Sequence, residues 1–147
     1  MKINVKIKLT RGAVCPTFAT EGSAAVDLSA MIDEPYTLQP GERHLFPTGV
    51  AIEPETSGVV AIVAARSGLG IKHGINLANG IGVIDSDYRG EICVGLLNTS
   101  NESYTIDKGE RIAQLFFLPV CAVNFEVSET LGDTERGAGG FGSTGRK

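Results

Sequence analysis

The sequence contains few of the residues that build disulfide-held or metal-held folds. Only three cysteines and two histidines occur in 147 residues. Cys15, Cys93 and Cys121 are odd in number, far apart and without CxxC spacing, so they support neither a disulfide framework nor a zinc site. Cys93 and Cys121 lie in apolar runs, and we expect them to be buried as small hydrophobic residues. His44 and His73 are too few to favour a histidine-based metal centre.

Long apolar runs and an excess of basic residues are also lacking. No run approaches the length of about 20 residues that a transmembrane helix needs, and residues 1–8 alternate without the apolar region of a signal peptide. We therefore expect a cytoplasmic protein that contacts no membrane. The net charge is −4, which disfavours general nucleic-acid binding because that function needs a basic surface. A few local arginines and a divalent cation can still hold a polyphosphate.

Short apolar segments separated by turn residues make up most of the chain. Residues 2–9 alternate strictly between polar and apolar side chains, which is typical of a half-buried strand. The one helix candidate covers residues 66–74 and is short. Many short strands with almost no helical period predict an all-β barrel or sandwich. The other predicted strand segments are residues 44–52, 58–64, 75–84, 91–97 and 103–106. Residues 24–30 are a short apolar segment, and residues 111–127 are a long apolar stretch broken at Pro119.

A polar turn between two of these segments carries a carboxylate and an aromatic ring. Residues 75–84 and 91–97 are predicted to form a β-hairpin. Asp85, at the turn, either caps its own backbone or orients and deprotonates a water molecule. Tyr88 either packs on the hairpin or lies against a sugar.

Three further polar positions stand out against apolar surroundings. Arg66-Ser67-Gly68 follows a buried strand and is either an anion cradle or an ordinary turn. Gln114 lies in an apolar run and needs a partner, which is either a core group or a ligand. Asp27 interrupts another apolar run, where it either pairs with an arginine or holds a metal-bound water.

The end of the chain is rich in glycine, with five glycines in residues 136–145. We therefore predict a barrel domain over residues 1–131 and a flexible lid over residues 132–147. The pattern Gly137-x-Gly139-x-x-Gly142 lacks the strand and helix of a dinucleotide-binding fold. Glycine backbone, Ser143, Thr144 and Arg136 suit phosphate oxygens, and Phe141 suits stacking on a base. The alternative is a tail that only solubilises the protein.

Taken together, five ordered segments resemble the trimeric deoxyuridine triphosphate nucleotidohydrolase (dUTPase) family, in its bacterial or phage-like single-domain form. The third segment centres on Ile84-Asp85-Ser86-Asp87-Tyr88-Arg89-Gly90, and the fifth is the glycine-rich tail. The resemblance covers essentially the whole chain. The five segments are residues 24–28, 65–68, 79–90, 109–115 and 136–145.

The resemblance implies a homotrimer of jelly-roll-like distorted β-barrels with one short helix each, and sites shared between three subunits. It implies hydrolysis of dUTP to dUMP and diphosphate with Mg²⁺, which keeps uracil out of DNA and supplies dUMP for dTMP synthesis. Asp85 would activate the water that attacks the α-phosphorus. Asp27 would act on Mg²⁺ indirectly, through water, or orient an arginine.

The same resemblance assigns two sets of binding residues. Those for uracil and deoxyribose would be Asn79, Val83, Ile84, Asp85, Tyr88, Cys93 and Phe141. Those for the phosphates would be Arg66, Ser67, Gly68, Gln114, Arg136, Gly140, Ser143 and Thr144.

Two alternatives remain open at this point. The first is a dCTP deaminase, or a bifunctional deaminase and diphosphatase, of the same fold, which ammonia release from dCTP would reveal. The second is a non-catalytic nucleotide-sensing regulator. Asp85, Gln114 and the complete fifth segment argue against lost catalysis.

Overall fold

The computed structural model describes residues 2–140, and this part of the chain forms eleven short β-strands and one helix. The elements, in chain order, are β1 (Val5–Leu9), β2 (Val26–Ser29), β3 (Tyr36–Leu38), β4 (Arg43–Pro47), β5 (Val50–Pro54), β6 (Val59–Ala65), α1 (Ser67–His73), β7 (Ile75–Leu77), β8 (Gly82–Ile84), β9 (Cys93–Asn98), β10 (Tyr104–Ile106) and β11 (Arg111–Pro119).

The strands form four small antiparallel sheets. Their orders are β2-β11-β6-β8, β4-β9-β7, β1-β5 and β10-β3. One hydrophobic cluster joins residues from strands of all these sheets and from α1. Short antiparallel sheets around a common core, with a single short helix, confirm the predicted fold class: an all-β, jelly-roll-like barrel.

Alternation along the strands builds this core. In β9, for example, Val94, Leu96 and Asn98 are buried, whereas the residues between them are more exposed. Asn98 is fully buried, and its Nδ2 donates to the backbone oxygens of Leu38 at 3.1 Å and Glu102 at 2.7 Å. A buried amide with its hydrogen bonds satisfied costs little stability.

The single strand predicted over residues 44–52 is wrong, because a turn at Thr48-Gly49 divides it into β4 and β5. Gly49 has a φ of +68°, which favours glycine. A Cβ at this position would also lie 2.7 Å from the Cβ of Ala13. The Thr48 hydroxyl donates to the backbone oxygen of Ile92 at 2.6 Å. Local turn residues, Pro47 and Gly49, and contacts with segments distant in sequence therefore meet at the break.

The predicted hairpin is also only partly correct. β7 pairs with β9 as expected, but β8 pairs with β6 in a different sheet. The segment between Ala78 and Ile92 therefore crosses from one sheet to another. The edge of β6 that β11 leaves open supplies the hydrogen-bond partners of β8.

The prediction that Cys93 and Cys121 are buried is wrong, since all three cysteines are exposed. Cys93 is the first residue of β9 and faces away from the core by the alternation of that strand. Cys121 follows the last strand, which ends at Pro119, where the apolar stretch was expected to break. The predicted half-buried strand β1 is mostly exposed as well, because it pairs with β5 alone.

The segment after β11 is irregular and exposed to solvent. Residues 120–140 contain no helix or strand, and Phe125 is 92% exposed and Val127 fully exposed. In the range 2–140, no helix is both long and apolar enough to cross a membrane.

Candidate active site

A small cavity lies between β8 and β9, where the two strands diverge into different sheets. Its volume is about 130 Å³, close to the roughly 150 Å³ of a cavity that accepts one benzene ring. A single six-membered ring therefore matches its size. Four of the residues predicted to contact uracil come together in its lining, which consists of Val63, Leu77, Asn79, Gly82, Val83, Ile84, Cys93, Val94 and Gly95.

Asp85 and Tyr88 lie in the turn that follows this cavity. Asp85 comes directly after the lining residue Ile84, is exposed, and accepts a hydrogen bond at its backbone oxygen from the Tyr88 N–H at 3.1 Å. The Tyr88 hydroxyl donates to the backbone oxygen of Glu91 at 3.1 Å. A Cβ at Gly90 would lie 2.5 Å from Tyr88 Cζ, so only glycine leaves room for this ring position. The turn thus places a carboxylate and an aromatic ring in the segment that directly follows the cavity-lining strand β8.

The thiol of Cys93 adds a neutral polar group to the cavity. Its partial burial raises its pKa, the nearby Glu91 carboxylate raises the pKa further, and Arg11 lowers it. Because the pKa lies above its usual value, the thiol stays protonated at neutral pH.

A second group of predicted residues surrounds Asp27 on β2. Arg66 Nε donates to Asp27 Oδ1 and Arg111 Nη1 donates to Asp27 Oδ2, each at 3.0 Å. Arg66 Nη1 also donates to the backbone oxygen of Arg111 at 2.8 Å. Of the two alternatives for Asp27, pairing with arginine is the contact that is present. The sequence analysis missed Arg111, although its position three residues before Gln114 in the same segment was a usable signal.

Three other predicted phosphate-binding residues lie near this group. Gln114, in the middle of β11, is opposite Asp27 on β2 and Ala64 on β6. Ser67 and Gly68 open α1 directly after Arg66 and are exposed. The barrel therefore collects a guanidinium, an amide, a hydroxyl and a glycine around one carboxylate, a set of donors suited to phosphate oxygens.

Asp85 and Arg66 lie toward opposite ends of β6 within one chain. Ile84 is paired with Ala61, and Arg66 lies five residues beyond Ala61 in the sequence. At about 3.4 Å per residue, the backbones of Ile84 and Arg66 are roughly 17 Å apart. The Arg66 side chain is also directed to Asp27. One chain alone therefore does not bring Asp85 and Arg66 together.

The tail forms a third, separate group. Arg136 and Gly140 are exposed, and Arg136 Nε donates to the backbone oxygen of Gly139 at 2.9 Å within the tail itself. Phe141, Ser143 and Thr144, predicted to contact the nucleotide, lie outside the described residues.

Carboxylates near the candidate site are single rather than clustered. Over residues 2–140, no three His, Cys, Asp or Glu side chains are grouped closely enough to hold a metal ion. Asp27 is the carboxylate nearest to the phosphate-suited donors, and its two oxygens already accept hydrogen bonds from arginines.

Comparison with known protein sequences gives a consistent family. The dUTPase family model matches residues 11–145. The deoxyuridine 5'-triphosphate nucleotidohydrolase of Hahella chejuensis is 55% identical over 132 residues, covering 90% of this chain and 87% of that protein. The protein of the same name from Haemophilus influenzae is 48% identical over 149 residues, covering 99% of both chains.

Comparison with solved structures agrees with the sequence relatives. The dUTPase of Staphylococcus bacteriophage 80alpha, solved with dUPNHPP, superimposes with a TM-score of 0.86 at 27% identity. The superposition covers 97% of this chain and 98% of the phage protein. The family match over nearly the full length, together with the shared fold, shows that this chain belongs to the dUTPase family.

Proposed function

We propose that this protein is a dUTP diphosphatase, which hydrolyses dUTP to dUMP and diphosphate. The observation that carries the proposal is the one-ring cavity with the turn of Asp85 and Tyr88 directly after it, in a chain about half identical to curated nucleotidohydrolases of that name. A cavity of this size accepts a pyrimidine and excludes the two fused rings of a purine.

Selection of uracil rests on backbone groups. β8 is the last strand of its sheet, so the edge that faces away from β6 carries backbone N–H and C=O groups available to a ligand. Such groups, together with Asn79, pair with the carbonyl oxygens and the N–H of uracil as a base partner would. Cytosine presents a mismatched donor and acceptor pattern, and the methyl group of thymine needs space that the cavity lacks.

The turn after β8 contacts the sugar and the reacting water. Tyr88 packs against the deoxyribose and leaves no space for a 2′-hydroxyl, which makes UTP a poor substrate. Asp85 accepts a proton from the water that attacks the α-phosphorus. The bond between the α-phosphorus and the bridging oxygen breaks, and diphosphate leaves with dUMP as the other product.

The phosphate chain is held by the second group and by the tail. Arg66, Ser67, Gly68 and Gln114 donate to its oxygens, and Asp27 keeps the Arg66 guanidinium oriented through the 3.0 Å pair. Residues 132–147 close as a lid, which excludes bulk water and strengthens the electrostatic interactions. In the closed lid, Phe141 covers the uracil, and the phosphate contacts come from Arg136, Gly140, Ser143 and Thr144.

The residues present fit a magnesium ion that arrives with the nucleotide. Mg²⁺ prefers phosphate oxygens and water to an all-protein cage, and a single carboxylate such as Asp27 suits that arrangement. An ionised carboxylate has about four lone-pair sites, so Asp27 can accept from a metal-bound water in addition to Arg66 and Arg111. When bound, Mg²⁺ neutralises charge on the phosphates.

A homotrimer with sites shared between subunits explains how Asp85 and Arg66, which are far apart in one chain, act on the same nucleotide. The roughly 17 Å between Ile84 and Arg66 along β6 is bridged if Arg66 comes from a neighbouring subunit. Unpaired apolar surface supports such contacts. Val123, Phe125 and Val127 alternate in the exposed segment after β11, and an apolar groove of about 530 Å³ lies beside β1. Its lining includes Ile3, Val5, Phe18 and Phe117. The barrel domain over residues 1–131 and the cytoplasmic location stay predictions.

Diphosphate release measured on dUTP, dCTP, dTTP and UTP, with and without Mg²⁺, tests the proposal. We expect rapid release from dUTP with Mg²⁺ and slow release from the other three nucleotides. Ammonia release from dCTP would instead identify a deaminase. Tight binding of dUTP without turnover would identify a nucleotide sensor.

A further inference from the structure

Glu91, which the sequence leaves without a role, connects Tyr88 to two loops that are distant in sequence. Its side chain is 26% exposed. Glu91 Oε1 accepts from the Gly49 N–H at 2.7 Å and from Arg11 Nε at 3.0 Å. Its backbone oxygen accepts from the Tyr88 hydroxyl at 3.1 Å. One residue thus joins the ring beside the cavity to the turn between β4 and β5 and to the loop after β1.

The turn that receives Glu91 is itself rigidly held. Thr48 and Gly49 are buried, and the Thr48 hydroxyl donates to the backbone oxygen of Ile92 at 2.6 Å. The Ile92 N–H donates to the backbone oxygen of Val50 at 2.8 Å. Side-chain and backbone contacts therefore fix residues 91 and 92 together. The Ile92 contacts hold the backbone after the acceptor of the Tyr88 hydroxyl, and the Glu91 side chain holds the acceptor residue itself.

We propose that Glu91 is a positioning residue for sugar discrimination, holding the Tyr88 ring so that a 2′-hydroxyl finds no space. The inference rests on the proposed function, in which Tyr88 packs against the deoxyribose. Steric exclusion of a 2′-hydroxyl requires the Tyr88 ring to stay in one position. A displacement of the ring by roughly 1 Å would strongly change the discrimination between dUTP and UTP. Gly90 removes the Cβ that would push the ring away, and Glu91 supplies the anchor that keeps it in place.

The test compares kcat/KM for dUTP and for UTP in purified full-length protein. In Glu91→Ala we expect the ratio of the two values to fall by about tenfold or more, because Tyr88 yields to the 2′-hydroxyl. Glu91→Gln keeps an oxygen that accepts from both the Gly49 N–H and Arg11 Nε and should restore most of the ratio. Glu53→Ala removes the carboxylate of a separate pair, with Lys6 at 3.2 Å, and should leave the ratio unchanged.

Arg11→Met keeps the test decisive if Glu91→Ala does not fold. Arg11 is 51% exposed, so its replacement removes one anchor of Glu91 with little loss of packing, and the ratio should still fall. The proposal would be overturned if the ratio of kcat/KM for dUTP to that for UTP changed by less than about twofold in Glu91→Ala. If Glu91→Ala does not fold, the same criterion applies to Arg11→Met.

A second measurement separates this proposal from the proposed function. The chain has three tyrosines, so protein labelled with 3-fluorotyrosine gives few fluorine NMR signals, and Tyr88→Phe identifies that of Tyr88. Loss of the anchor should shift and narrow the Tyr88 signal in Glu91→Ala, or in Arg11→Met if that variant is used. An unchanged signal would refute the anchoring even if dUTP were not hydrolysed. Absence of dUTP turnover in the unaltered protein, with the signal changed in the variant, would refute the proposed function alone.

Discussion

Asp27→Asn should weaken both the fold and catalysis, because this one carboxylate holds two arginines. Asp27 is 22% exposed, and its partner Arg66 is 24% exposed. The second partner, Arg111, is 59% exposed. Asparagine keeps the shape and one acceptor oxygen. It removes the charge and places an amide donor against one of the two guanidinium groups.

The size of the loss follows from the burial of each pair. A hydrogen bond to a charged group contributes about 1.5–3 kcal/mol, and charge assistance supplies roughly half of that. The Arg66 pair should therefore lose about 1 kcal/mol. The more exposed Arg111 pair should lose about 0.5 kcal/mol. We expect Asp27→Asn to lower the free energy of unfolding by about 1.5 kcal/mol in total.

Chemical denaturation at a fixed protein concentration measures the stability loss, and kcat/KM for dUTP measures the effect on catalysis. A freed Arg66 guanidinium is no longer oriented, so kcat/KM should fall by about tenfold or more. Glu53→Gln is the matched control, since the Lys6 and Glu53 side chains of that pair are 81% and 45% exposed and the expected loss is below about 0.5 kcal/mol. If Asp27→Asn behaved like this control in both assays, the account of Asp27 would be refuted.

Three further predictions concern the tail, the base and the cavity. Deleting residues 136–147 should nearly abolish turnover of dUTP, whereas light scattering should show an intact oligomer. Loss of the oligomer would contradict the assignment of this segment as a lid. Asp85→Asn should remove turnover but keep nucleotide binding by calorimetry, and retained hydrolysis would exclude Asp85 as the base. Because the pKa of Cys93 is raised, its alkylation by iodoacetamide should need a higher pH than the alkylation of free cysteine. A non-hydrolysable dUTP analogue should block this alkylation. Peptide mass spectrometry measures this labelling, and no protection would place Cys93 outside the nucleotide site.

Local alternation was enough to locate most strands, but not their partners. The apolar run of β6 and the short pattern of β10 were identified within a residue or two. β8 has only three residues, and so short a strand carries no information about which sheet it joins. Pro47 and Gly49 are local turn signals that the strand prediction over residues 44–52 did not use. The close approach of Ala13 to Gly49 crosses a long stretch of sequence and has no local pattern.

In the candidate site, too, local sequence patterns predicted the residues but not all of their partners. Asp27 was expected to pair with an arginine as one of two possibilities, because an isolated carboxylate in an apolar segment needs compensation. Its second partner, Arg111, reaches it from 84 residues away, and only its place in the same segment as Gln114 indicated a role. Glu91 acts through the backbone of a turn and through its own carbonyl oxygen, and neither contact depends on a recognisable sequence pattern.

The central claim is that one active site takes Asp85 from one chain and Arg66 from another, and mixing two inactive variants tests it most directly. Arg66→Ala and Asp85→Asn should each be nearly inactive alone. When the two variants are coexpressed in equal amounts, about half of the sites receive an intact Asp85, and about half receive an intact Arg66. About one quarter of the sites receive both, so about one quarter of the wild-type activity should be recovered. Mixed oligomers that form and remain inactive would contradict the shared site and place both groups in the same chain.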